Sequence, residues 1–74
     1  MKFDYNKLRG RIVEKFGTLL KFSEELDISY EALSKKMNNL IAISQKEIVS
    51  WCDLLDIAPE EIGVYFFTLE VQTN

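Results

Sequence analysis

Side chains that can exchange hydrogen bonds or carry charge recur at helical spacing after Ser29. Tyr30, Glu31, Ser34 and Lys35 fall on the outward side of a predicted helix. This face offers donors, acceptors and a positive charge, so it suits non-covalent recognition of a nucleic acid or of another protein.

Residue types that carry out catalysis are scarce. The chain has no histidine, which is the commonest general base and metal ligand, and a single cysteine, Cys52, cannot build a structural zinc site. The three glycines form no phosphate-binding loop, and the acid pairs at 24–25 and 60–61 are adjacent on helices and point apart. We therefore predict no enzymatic activity, no metal and no cofactor.

Two short amphipathic helices joined by a tight turn position this face. The first begins after Thr18, a helix-capping residue, and the second after Ser29. Between them, Asp27 tolerates a left-handed backbone and Ile28 supplies an apolar corner. Small Ser23 lets the second helix approach closely. The predicted inward residues of the pair are Phe22, Ser23, Leu26, Leu33 and Met37.

This pattern resembles the helix-turn-helix of the Cro and phage-repressor class, specifically small prophage-type, XRE-like DNA-binding proteins. The resemblance runs from Leu8 to Leu55 and includes stretches 7–17 and 47–57. It implies an all-α fold: a compact five-helix lambda-repressor-like domain over residues 1–74, with the helix-turn-helix at about 18–38. In this class the second helix of the motif enters the DNA major groove. The alternative is a helical corner in an ordinary bundle.

The resemblance implies specific DNA contacts. Tyr30 would meet a base edge or a thymine methyl, and Lys35 a guanine or a phosphate. Glu31 would accept from cytosine N4, or would only stabilise the start of its helix. Ser29 would cap its helix and also reach DNA, while free amides at the starts of helices 2 and 4 would hold phosphates. The candidate DNA-binding residues are Thr18, Lys21, Ser29, Tyr30, Glu31, Ser34, Lys35, Lys36, Asn38, Ser44, Gln45 and Lys46.

Leu19 departs from the family pattern. Proteins of this class commonly carry a glutamine at this position, which anchors a phosphate and braces the recognition helix. Leu19 and the following Leu20 cannot make that hydrogen bond. They would fill extra core or contact a sugar or thymine methyl.

The net charge of −3 is unusual for a DNA-binding domain, since such domains are usually basic. The charge is polarised along the chain. Residues 1–37 carry eight basic and six acidic side chains, whereas residues 38–74 carry one basic and six acidic ones. A DNA-facing side and a solvent-facing side would give this distribution, and so would a charge-segregated protein-binding module.

The flanking sequence predicts three more helices. Helix 1 runs roughly from Asp4 to Phe16, with Gly10 inside it, and we expect a neighbouring backbone to approach that glycine closely. Helix 4 opens with a capping box between Ser44 and Glu47. Helix 5 begins at Pro59 and runs to about residue 66.

The tail after helix 5 alternates apolar and polar residues, as a short strand does. A lone strand has no expected partner within a helical chain, so the tail at 67–74 either packs on its own core or pairs with a second copy. We predict that Phe66 anchors the core. Phe67, Leu69 and Val71 would form a homodimer interface.

These observations predict a sequence-specific transcriptional regulator that binds a pseudo-palindromic, double-stranded DNA operator as a homodimer. The rival prediction is a protein-interaction module, such as an anti-repressor or an antitoxin-like partner, that keeps the fold without binding DNA. Acidic charge and Leu19 favour the rival. No secretory signal or membrane segment is visible, and no small-molecule ligand is expected, so the predicted location is the cytoplasm, at the nucleoid.

Overall fold

Five α-helices account for most of the fold in a computed structural model, which describes residues 2–71. In chain order the helices are α1 (Asn6–Phe16), α2 (Leu19–Leu26), α3 (Tyr30–Met37), α4 (Gln45–Leu55) and α5 (Ile62–Phe66). A single 3-10 turn, Pro59–Glu61, leads into α5. The predicted all-helical, five-helix architecture is confirmed.

Short-range side-chain caps set most of the helix boundaries. The hydroxyl oxygens of Thr18, Ser29 and Ser44 each accept a hydrogen bond from the amide three residues later, at 3.0–3.1 Å. Glu47 completes the capping box, because its Oε1 accepts from the Ser44 amide at 2.9 Å. Asp27 ends α2 in the left-handed region, with φ of 58°. All of these features were predicted.

Aromatic rings join the helices into one core. Phe22 on α2 packs edge-on against Trp51 on α4, with ring centroids 5.4 Å apart, and Phe66 on α5 lies 6.2 Å from the same Trp51 ring. The prediction that Phe66 anchors the core is confirmed, since only 1% of its surface is exposed. Leu33 and Met37 bury the inner side of α3, which turns its other side to solvent.

Helix α1 differs from prediction at two points. It begins at Asn6 rather than Asp4, because the Asp4 amide donates to the Thr68 carbonyl and is held outside the helix. The expected close approach at Gly10 is wrong: an added Cβ there would meet nothing within 4 Å among the described residues. Nothing in the structure explains this glycine.

The C-terminal tail folds back on its own chain, which was one of the two predicted alternatives, but its strand partner there, the N-terminal segment, was not predicted. Phe3 and Leu69 form an antiparallel bridge. It is flanked by hydrogen bonds from the Asp4 amide to Thr68 O, at 2.7 Å, and from the Glu70 amide to Lys2 O, at 2.9 Å. The predicted strand is reduced to this isolated bridge within residues 2–71, while residues 72–74 lie outside the described part.

An amide side chain fastens the other edge of Phe3. The Phe3 amide donates to Asn39 Oδ1, and Asn39 Nδ2 donates to the Phe3 carbonyl, both at 2.9 Å. Asn39 follows α3 with φ of 63°. The segment around Phe3 therefore lies between the end of α3 and the tail, as a strand lies between two neighbours.

Arg11 ties α1 to the end of α4. Its Nε donates to Leu55 O at 2.8 Å and its Nη2 donates to Asp56 O at 2.9 Å. These carbonyls lack helical partners at the C-terminus of α4, so the guanidinium acts as a cap supplied from another helix.

The longest helices within residues 2–71 have 11 residues, and none of them could cross a bilayer.

Candidate recognition surface on the second and third helices

A three-residue turn fixes α3 across α2. Ser23 is buried, and its hydroxyl donates to the Leu20 carbonyl at 2.6 Å, which leaves room for the turn. The Ile28 amide donates to the Ser23 carbonyl at 3.1 Å, and the partly buried Ile28 side chain packs against the core. The sequence reading of this corner is correct. Its consequence is that α3 lies at the surface with its outer side exposed.

The outward face of α3 contains the side chains expected from the sequence. Tyr30, Glu31, Lys35 and Asn38 are exposed, and Ser34 is partly exposed. Asn38 Nδ2 donates to Ser34 Oγ at 3.3 Å, so these two polar groups are already paired with each other. The face is available to a partner, and Lys35 is the exposed ammonium on it.

The remaining candidate residues lie at helix starts. The structure leaves these side chains exposed: Thr18, Lys21, Ser29, Ser44, Gln45 and Lys46. The three hydroxyl oxygens among them accept capping bonds, so their acceptor capacity is partly used inside the chain. Their hydroxyl protons can still be donated.

Lys36 faces α4 rather than solvent. Its Nζ lies 3.1 Å from both carboxylate oxygens of Glu47, and only 14% of its side chain is exposed. Burial is the largest single effect on Glu47 and raises its pKa. The Ser44 and Lys36 hydrogen bonds and the positive charge of Lys36 together outweigh it, so the pKa lies below the ordinary glutamate value. Lys36 thus braces α3 against α4.

An open apolar groove occupies the junction of α2 and α3. It has a volume of about 440 Å³ and is lined by Thr18, Leu19, Leu20 and Tyr30. Leu20 is 53% exposed and Tyr30 is 48% exposed, which is high for such large apolar side chains. Leu19 and Leu20 depart from the family pattern in the sequence, but they were not among the predicted site residues. The signal in the sequence was Leu19, an apolar residue at a position where the resembled class commonly carries a glutamine.

Exposed acidic side chains outnumber basic ones on the helix pair that forms this groove. Within residues 18–38, the exposed ionised groups are the carboxylates of Glu24, Glu25, Asp27 and Glu31 and the ammonium groups of Lys21 and Lys35. Glu24 lies one helical turn after Leu20 and therefore shares its side of α2. The exposed surface of residues 18–38, the α2–α3 face, therefore combines the apolar groove with an excess of negative charge.

The predicted interface residues lie at a second exposed apolar region. Phe67 is 51% exposed, Leu69 48% and Val71 82%. Phe67 packs edge-on against Phe3, with ring centroids 5.7 Å apart. The structure therefore brings the tail together with Phe3 and leaves its apolar side chains accessible.

The fold and the α2–α3 face define a small helical protein whose third helix has an exposed outer side. Residues 1–69 match the family described as "Protein of unknown function (DUF739)", and the chain belongs to this family. A comparison with curated proteins found no match. Among solved structures, the chain is similar to the modulator of repression (MOR) of the temperate bacteriophage TP901-1 from Lactococcus lactis, determined in solution. The identity is 33%, the match covers 97% of each chain, and the TM-score is 0.82.

Proposed function

We propose that this chain is a phage regulatory protein that modulates repression by binding a DNA-binding repressor through its α2–α3 face. The observation that carries the proposal is the exposed pair Leu20 and Tyr30, at the junction where a DNA-binding helix-turn-helix presents polar groups to phosphates. The similarity to a phage modulator of repression supports this role.

The energetics of the α2–α3 face favour a protein partner. Full burial of a large apolar side chain stabilises an interface by roughly 1.5–3 kcal/mol, and tyrosine is enriched among residues that dominate binding energy. A sugar or a thymine methyl offers only a small apolar surface, which would bury less of Leu20 than a protein partner can. The excess of exposed carboxylates on this face, from Glu24, Glu25, Asp27 and Glu31, complements the basic surface that a DNA-binding repressor must carry.

Direct DNA binding is the second candidate. It is favoured by the exposed polar series of α3, with Ser29, Lys35 and Asn38, and by Lys46 at the start of α4. In that case the chain would bind a pseudo-palindromic operator as a homodimer. The engagement of Lys36 with Glu47 leaves this surface fewer free positive charges than the sequence suggested.

The protein-binding proposal is tested with a repressor of the Cro class from the same genome, bound to labelled operator DNA. Increasing amounts of the chain should reduce or alter repressor occupancy, and calorimetry should detect a direct complex. Leu20→Glu should weaken that complex at least about tenfold, because it places a charge in an apolar contact. Val49→Glu on α4 is the matched control, since Val49 is 62% exposed outside the groove. Equal affinities of both variants would contradict the proposal.

DNA binding is tested independently by selection from random duplexes. Enrichment of one sequence would support the second candidate if its affinity falls with salt, with a slope near −0.9 per phosphate contacted. Lys35→Ala should then relax base preference at defined positions. No enriched sequence, or an affinity that salt leaves unchanged, would exclude it.

A further inference from the structure

The outer edge of the C-terminal tail has unused backbone groups. In an antiparallel pair, neighbouring residues direct their N–H and C=O groups to opposite edges. Thr68 O and the Glu70 amide bond to Asp4 and Lys2, so the backbone groups of Leu69 point away from the N-terminal segment. Within residues 2–71 they have no hydrogen-bond partner. Leu69 is thus at the centre of a short open edge.

The side chains along this edge are apolar on one face. Leu69 lies beside its bridge partner Phe3, and the Phe67 ring packs edge-on against the same Phe3 ring. Val71, two residues after Leu69, continues the same face. A groove of about 220 Å³ adjoins this face, and Phe3, Phe67 and Ile41 line part of it. Edge and face together offer both hydrogen bonds and apolar contact.

We propose that a second copy of the chain pairs antiparallel with this edge, with Leu69 of one copy opposite Leu69 of the other. The two Leu69 residues then exchange a pair of hydrogen bonds about a two-fold axis. The ladder ends at Thr68, because Phe67 ends α5 with φ of −127° and ψ of 18° and its amide donates to Gly63 O. The result is a four-segment sheet in which the two N-terminal segments are the outer members.

Charge and register select a second copy as the occupant. Centring on Leu69 places Glu70 opposite Thr68 of the other copy, so no two carboxylates face each other. Centring on Glu70 is excluded, because its amide already donates to Lys2 O. The edge is therefore complementary to itself in one register, and this pairing is separate from partner binding at the α2–α3 face.

Sedimentation equilibrium of the unmodified chain over a wide concentration range gives the first test. A reversible monomer–dimer equilibrium is expected. A monomer at all concentrations would overturn the proposal, as would a dimer that Leu69→Arg leaves unchanged.

Disulfide trapping tests the register, in a Cys52→Ala background so that no other thiol is present. Opposed residues of a hydrogen-bonded pair have Cα atoms about 5.5 Å apart, within the range a disulfide bridges. Leu69→Cys should therefore cross-link to itself at least about tenfold faster than Val71→Cys, although Val71 is the more exposed. Faster self-linking of Val71→Cys would refute this register.

Discussion

Replacing Glu47 tests how firmly α3 is held against α4. Its carboxylate accepts a hydrogen bond from the Ser44 amide at 2.9 Å. Both carboxylate oxygens lie 3.1 Å from Lys36 Nζ. The side chains of Glu47 and Lys36 are 27% and 14% exposed, so solvent screens their attraction less than it screens a surface pair. In Glu47→Ala, Lys36 keeps only a long contact of 3.5 Å to Ala42 O.

The expected cost of Glu47→Ala follows from these contacts. Loss of the capping interaction costs roughly 0.5–1 kcal/mol. A hydrogen bond to a charged group contributes about 1.5 kcal/mol at the low end of its range, appropriate for a pair that is partly exposed. Together these give a loss of about 2 kcal/mol, or roughly 8–16 °C in Tm for a chain of this size.

Urea and thermal unfolding followed by circular dichroism measure this loss. Glu47→Gln keeps an oxygen acceptor for the Ser44 amide but removes the charge, so it should lose about half as much. Lys35→Ala is the matched control on the exposed face of α3 and should change stability by less than about 0.5 kcal/mol. A double-mutant cycle with Lys36→Met should give a coupling of about 1 kcal/mol.

Two results would refute this reasoning. One is a Glu47→Ala variant as stable as Lys35→Ala. The other is strict additivity of the Glu47 and Lys36 substitutions. Either would mean that Lys36 is free in solution and available as a phosphate contact.

Three further outcomes are expected. Because the folded-state pKa of Glu47 lies below its unfolded value, the stability that its charged form contributes is complete above the ordinary glutamate pKa and is lost as pH falls through the lower folded value. The difference in unfolding free energy between wild type and Glu47→Gln, measured by urea titration, should shrink in that interval. Arg11→Met should lower the free energy of unfolding by about 1–2 kcal/mol in the same assay, because it removes the hydrogen bonds to Leu55 O and Asp56 O. Glu14→Ala should lower it by less than about 0.5 kcal/mol, because the Glu14 carboxylate is largely exposed. Asn39→Gly should be less stable than wild type because it loses the two hydrogen bonds to Phe3. Asn39→Ala should be less stable again by about 1 kcal/mol, because residue 39 has a left-handed backbone that glycine adopts more readily than alanine. Equal melting temperatures of the two variants would contradict this.

The features predicted correctly from the sequence depend on near neighbours. The hydroxyls of Thr18, Ser29 and Ser44 cap their helices by accepting from the amides three residues later, and Asp27 ends α2. The buried pattern of α3 follows from helical periodicity, which needs no knowledge of what covers it. This local information was enough to place Tyr30 and Lys35 on an exposed face.

The features that were missed require contacts between distant parts of the chain. Lys36 was treated as a candidate DNA contact because periodicity alone cannot show that α4 brings Glu47 to it. The partner of the tail was missed because it is a short segment near Phe3 with no strand pattern of its own. Leu20 was recognised as unusual, but its exposure depends on how α2 and α3 meet.

The double attachment of Phe3 has a consequence for the order in which the chain opens and closes. The bond between the tail and residues 2–4 closes a loop of almost the whole described chain, so it carries the largest loop-closure entropy and should form last in folding. The bonds to Asn39 close a loop about half as long. In native-state hydrogen exchange, the amides of Asp4 and Glu70 should therefore exchange first. The Phe3 amide should stay protected by its hydrogen bond to Asn39 after the tail has separated.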